Sequence, residues 1–255
     1  MAISVARSGN PALSESRFAQ YRGLGVSGDV MTMQGAVNKT GILLLITMLT
    51  AGYVWKTFFS APEPNVANVS GLMMVGAIGG FVVAMVTVFK DSWSPITAPI
   101  YAALEGLFLG GISAVAESQY PGIGIQSVGL TFAVCLVMLA VYSSGIIKVT
   151  DKFRVGVVAA TGGVAIFYFI SIILSLFGIQ VPFINDNSWV GIGFSLVVVA
   201  IAALNLVLDF DVIQQLSRSG APRYMEWYGA FGLMVTLVWL YIEILRLLMK
   251  LRSER

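Results

Sequence analysis

The sequence predicts an all-α membrane protein of seven transmembrane helices, and three observations predict it. Hydrophobic residues fill 57% of 255 positions and charged residues only 11%, giving a mean hydropathy of +0.86, more apolar surface than a soluble core absorbs. Seven windows of about twenty apolar residues, each long enough to cross a bilayer, follow one another along the chain. The connections between them leave no room for a soluble domain, and several carry Pro or Asn, as in Ala61–Asn65, Tyr120–Gly122 and Pro182–Asn187.

In order, Thr40–Phe59 follows Lys39, and Val69–Phe89 runs from the Pro- and Asn-containing connection to Lys90. Pro95–Ala116 carries Glu105 within it, and Gln126–Ile147 follows the Tyr-Pro-Gly turn. Val155–Phe177 starts after Arg154, Ser188–Leu208 closes on Asp209, and Trp227–Lys250 opens beside Glu226. Residues 1–38 contain Arg7, Arg17 and Arg22 but no apolar core of the kind a cleavable signal peptide needs. They read as a flexible cytoplasmic tail, with room for a short interfacial helix near Val30–Val37, ahead of a membrane domain over 39–255.

Lysine and arginine set the orientation, because cytoplasmic loops hold the excess. Arg7, Arg17, Arg22 and Lys39 precede the first span, Lys148, Lys152 and Arg154 lie in the fourth loop, and Arg218 and Arg223 in the sixth. The third and fifth loops have none, so the N-terminus is expected inside. Arg246, Lys250, Arg252 and Arg255 break the pattern, since seven spans put them outside. Either the last segment ends late under weak constraint, or one hydrophobic segment is re-entrant and both ends are inside.

Several chemistries drop out. The chain has no histidine, which removes serine–histidine nucleophiles, most zinc sites and histidine-ligated haem. Its single cysteine, Cys135, lies in an apolar run and reads as a small hydrophobe. A net charge of +2 gives no case for nucleic acid. Gly76–Gly80 and Gly106–Gly110 are G-x-x-x-G pairs, and Gly156–Ala160 and Gly191–Ser195 are related small pairs. Such spacing lets helix backbones approach in lipid and predicts a compact bundle.

The residues able to carry function are acids. A charge inside a bilayer costs at least ~2.5–3.5 kcal/mol, yet Glu105 and Glu243 sit within apolar spans, and Asp209 and Asp211 close the sixth. Two carboxylates brought together in low dielectric share one proton and so sense pH. A structural reading stands beside this one. In it the aspartates mark the end of a span, Glu226 is an interfacial anchor beside Trp227 and Tyr228, and Arg246, one turn away, neutralises Glu243.

The sixth span ending in an aspartate motif, the final Leu240-Tyr241-Ile242-Glu243-Ile244-Leu245, Met31-Thr32-Met33 before Lys39-Thr40-Gly41, and Ala103-Leu104-Glu105-Gly106-Leu107-Phe108-Leu109-Gly110 occur in one order. In that order they resemble the Bax inhibitor-1, or transmembrane Bax inhibitor motif, family in its longer bacterial branch. The resemblance runs from about Met31 to Leu251. It implies six helices, in two groups of three, around a central C-terminal helix in a bacterial inner membrane. It also implies a pH-sensitive calcium leak whose acidic pair maps onto Asp209 and Glu243, with glutamate at the second position where aspartate is usual.

The hairpin is longer than the family's. In a simple antiparallel register Glu243 lies ~20 Å deeper than Asp209, so either the last helix starts late or Glu226 is the true partner of Asp209. The expected ion is calcium, which prefers oxygen ligands, with Glu105, Asp211, Glu226 and Arg246 as further members of the pathway or rivals for the pair. No cofactor and no enzyme activity are expected. The nearest string to the Gly-x-Gly-Asp of intramembrane aspartyl proteases, Gly191-Ile192-Gly193-Phe194, has phenylalanine in the acid's place. A retinal pump needs a mid-membrane lysine in the seventh span, which has only Lys250 at its end. The alternative function is a non-conducting regulator that binds other membrane proteins or a membrane protease in stress survival.

Overall fold

A computed structural model describes residues 30–178 and 188–253. Arg7, Arg17, Arg22, Arg255 and the connection Pro182–Asn187 lie outside the described residues. Seven long helices account for nearly all of the rest: α1 (Met33–Phe59), α2 (Ser70–Phe89), α3 (Ser94–Gln119), α4 (Ile123–Ser143), α5 (Asp151–Leu176), α6 (Trp189–Arg218) and α7 (Met225–Ser253). All seven are long and apolar enough to cross a membrane, which makes the protein a multi-pass membrane protein.

Local chemistry fixes the ends. Thr32, Thr150 and Ser188 cap α1, α5 and α6, each side chain accepting a backbone N–H from the first turn. Pro95 sits in the first turn of α3, where its missing N–H costs nothing. Gly122, at φ +86°, makes the tight turn into α4, and Gly220, at φ +70°, ends the turn after α6. The apolar windows underestimate five of the helices, because a helix continues past the hydrocarbon wherever its polar end finds partners, whereas Gln126–Ile147 runs four residues past the end of α4 into the turn at Gly145 and Val69–Phe89 starts one residue before α2. α1 begins at Met33, inside the stretch assigned to the tail, so the boundary at residue 38 falls within a helix and no separate helix forms at Val30–Val37. α6 runs to Arg218, well beyond Leu208, so Asp209 and Asp211 are helix-interior residues.

α7 is the most buried of the seven. It packs against α1, α3, α4 and α6, while α2 lies mainly on α3 and α5 on α6. Four helices, rather than six, therefore make the extended contacts with the last one. Met31 and Arg252 lie at opposite ends of the bundle. Met31 N donates to Ala221 O at 2.7 Å in the turn between α6 and α7, whereas Arg252 Nη1 donates to Pro121 O at 2.7 Å in the turn between α3 and α4.

Three of the four basic residues that break the charge rule are held by the protein at that far end. Arg246 is paired with Glu243, Lys250 Nζ donates to Gly191 O at 3.0 Å, and Arg252 Nη2 donates to Gln126 Oε1 at 3.0 Å.

Two of the four small-residue pairs sit at close backbone contacts. A Cβ on Gly76 would stand 2.6 Å from Leu104 O, and one on Gly110 would stand 2.6 Å from Ala51 O. Gly156 meets nothing within 4 Å, so the Gly156–Ala160 pair makes no such contact. Gly110→Ala is expected to lose about 1–3 kcal/mol by forcing α1 from α3. Gly163→Ala, on α5 with nothing within 4 Å, is expected to gain up to about 1 kcal/mol from helix propensity. Thermal unfolding of the two variants in one detergent checks both signs.

Candidate functional site

The carboxylates of α6 and α7 occupy three depths in the bundle. At the N-terminal end, Glu226 is 3% exposed in the first turn of α7. Its Oε1 accepts from Thr32 N and Thr32 Oγ1, both at 2.9 Å. Lys39 Nζ donates to Oε2 at 2.7 Å. The carboxylate thus sits on the N-terminus of α1, where backbone N–H groups and the helix dipole favour negative charge. Gly35 makes room for it, because a Cβ there would lie 1.9 Å from Glu226 Oε1. Asp211 closes a neighbouring cluster: Arg154 Nη2 from α5 donates to it at 3.0 Å and Gln215 Nε2 at 2.7 Å. Tyr142 of α4 stands beside it and donates to Gln214 Oε1 at 2.5 Å.

Deeper in, Asp209 is fully buried on α6. One turn further along, Asn205 Nδ2 donates to Thr161 Oγ1 at 2.7 Å and to Ile201 O at 2.8 Å, tying α6 to α5.

Towards the far end Glu243 is 1% exposed. Tyr168 Oη of α5 lies 3.0 Å and 3.1 Å from its two oxygens, and Arg246 Nη1 lies 3.1 Å from Oε2 and donates to Tyr168 Oη at 2.6 Å. The Arg246 guanidinium also stacks over the Tyr168 ring at 5.1 Å. Arginine, tyrosine and glutamate form a closed triangle between α5 and α7.

The register of α6 against α7 decides whether Asp209 and Glu243 form a pair. Gly229 lies against Ile213, to whose Cγ1 a Cβ on the glycine would stand 3.1 Å away, and Lys250 reaches Gly191. Both contacts fit one antiparallel register, in which Asp209 is level with about Leu233. Glu243 is about ten residues further along α7, or ~15 Å away at 1.5 Å per residue, too far for a direct bond or one bridging water. This register does not set Asp209 opposite Glu243.

Neither alternative partner arrangement holds. The last helix does not start late, since α7 begins at Met225. Glu226, level with about Leu216 and ~10 Å from Asp209 on the other side, is taken by Lys39 and Thr32. Arg246 does neutralise Glu243, as the structural reading had it, but Tyr168 from another helix completes the arrangement. Glu105 is half-buried between α2 and α3, facing Gly80, away from the α6–α7 line.

A sequence profile described as Bax inhibitor 1 like matches residues 10–253, nearly the whole chain. The chain belongs to the Bax inhibitor 1 like family. Comparison with curated proteins and with solved structures returns no match. Within this Bax inhibitor 1 like chain, the partners that sequence reasoning missed are Thr32, Lys39, Tyr142, Arg154 and Tyr168. Lys39 and Arg154 carried a signal, being cations inside helices, and were counted only towards orientation. Tyr168 carried none, since a tyrosine among Phe167 and Phe169 reads as an aromatic in lipid. Glu117, unremarked in the sequence, accepts Gly122 N at 2.6 Å and Gly124 N at 2.9 Å and so caps the start of α4.

Lys39→Met is expected to destabilise the protein by about 3–5 kcal/mol, because it strands a buried carboxylate. Lys39→Met combined with Glu226→Gln is expected to recover most of that loss. A double-mutant cycle on thermal unfolding measures the coupling.

Proposed function

We propose that the protein is a pH-sensitive calcium leak whose buried carboxylates act as successive steps along α6 and α7 rather than as one proton-sharing pair. The observation that carries this reading is the ladder of Glu226, Asp209 and Glu243, which are 3%, 0% and 1% exposed. They are spread over ~26 Å of α7's length at 1.5 Å per residue, most of the ~30 Å hydrocarbon core. Carboxylates taken out of water at such cost mark ion pathways more often than packing, and calcium selects oxygen ligands of this kind.

The two ends of the ladder are locked. Lys39 occupies Glu226, and Arg246 with Tyr168 occupies Glu243, so the oxygens a cation needs are spent and fixed positive charge stands beside them. This is a closed arrangement. The ion pairs hold this state, and loss of the Arg246–Glu243 pair is the step that opens it. Release of Arg246 frees α5 from α7 at Tyr168, and release of Lys39 frees the start of α1 from α7.

The test is calcium entry into liposomes carrying the purified protein, from neutral to mildly acidic pH. Glu243→Gln, which removes the charge that holds Arg246, is expected to raise the leak at neutral pH about tenfold, the equivalent of ~1.4 kcal/mol, and to flatten its pH profile. Asp209→Asn is expected to lower the leak at every pH without moving the profile. If both variants match the parent protein, the reading fails. Absence of flux from a folded sample, together with a membrane partner that co-purifies, would favour the non-conducting regulator.

A further inference from the structure

On the side of α7 away from α5, a cavity of about 310 Å³ lies among α1, α3, α4 and α7. α1 and α4 frame its mouth without packing closely on each other. The mouth residues Met48 and Ile125 are exposed on membrane-length helices. Ser113 and Tyr241 form the floor.

The polar groups along it are satisfied within the protein. Ser113 Oγ and Tyr241 Oη are 2.6 Å apart. Thr47 donates within hydrogen-bond distance of Leu43 O and Ala102 O, and Thr131 donates to Ser127 O at 2.7 Å. Nothing there calls for water or an ion, and an apolar cavity of this kind takes an apolar guest.

Its length identifies the guest. The lining on α1 extends from Leu44 to Trp55, ~16 Å at 1.5 Å per residue, or about half of the ~30 Å hydrocarbon core. That is the depth of one leaflet. The outer end, at Trp55, Gly124 and Ile125, lies at the C-terminal end of the bundle, and there Arg252 is anchored to Pro121 O and Gln126 Oε1. These bonds use two of the five N–H donors of the guanidinium, leaving it able to engage a phosphate.

We infer that the cavity holds one acyl chain of a phospholipid from the leaflet on the C-terminal side, with Arg252 beside the headgroup phosphate. The occupant is drawn from the bilayer. The mouth opens between lipid-facing helices, the slot is one leaflet deep, and a cation marks its rim. The site is independent of the acidic ladder and stands or falls without it.

The full-length protein in nanodiscs of phosphatidylethanolamine and phosphatidylglycerol, doped with phosphatidylglycerol bearing a diazirine at the end of one acyl chain, tests this. Mass spectrometry of the photolabelled peptides is expected to find Ser113 and Tyr241, which bulk lipid does not reach, among the labelled residues. Gly52 lines the cavity with nothing within 4 Å of its Cβ position, so Gly52→Phe is expected to cut that label about tenfold. Ile125→Trp, at the exposed mouth, gives a second block should the first variant fold poorly. Gly163→Phe on α5, which also meets open space, is expected to leave the label unchanged. Arg252→Gln is expected to reduce labelling by phosphatidylglycerol more than by the matching phosphatidylcholine. Label absent from Ser113 and Tyr241, label indifferent to both blocking variants, or label supplied by a photoreactive free fatty acid against excess phospholipid would overturn the inference.

Discussion

A carboxylate withdrawn from water must be given donors, and the position of α7 in this bundle depends on how Glu226 and Glu243 receive theirs. Glu226 takes three hydrogen bonds from α1, two from Thr32 and one from Lys39. Glu243 takes its bonds from its own helix and from α5. The most buried helix is therefore pinned at one end to the first helix and at the other to the fifth. In lipid there is no hydrophobic force between helices to supply that registration, whereas leaving either acid unpartnered would be costly.

Close packing and polar pinning divide the molecule between them. α1, α2 and α3 are brought together by glycines whose missing Cβ atoms let backbones touch, as at Gly76 and Gly110. α5 makes fewer close contacts with the bundle and carries glycines that meet nothing. Its attachment to α6 and α7 includes Arg154 on Asp211, Thr161 on Asn205 and Tyr168 on Glu243. The proposed gating therefore acts on α5, the helix held to Asp211 and Glu243 by such contacts.

Much of the site was visible in the sequence as residue type and little of it as geometry. Glu243, Glu226, Asp209 and Asp211 stand out because an acid in an apolar run has a known cost, and that argument needs no fold. Which acid meets which partner depends on helix register, set by the short turn at Gly220 and by the contact of Gly229 with Ile213. A resemblance between motifs cannot carry that register across when the hairpin is longer. Helix ends were misjudged for a related reason. Windows of hydropathy measure the hydrocarbon, and α6 continues for ten residues past Leu208 because its last turns lie against α4, α5 and the start of α1.

Composition and spacing alone determined that this chain has seven segments apolar enough to cross a membrane, that its backbone would be helical, that it would pack through small residues at Gly76 and Gly110, and which acids were out of place. Those properties follow from each residue's own free energy in lipid, which is local and additive along the chain. Only the tertiary structure decided that Asp209 and Glu243 stand ~15 Å apart, that Lys39 and Tyr168 are partners, and that a one-leaflet slot lies beside Tyr241. Those depend on how far each helix slides and turns against its neighbours. A shift of one turn there exchanges every side-chain partner while leaving the hydropathy of the sequence unchanged.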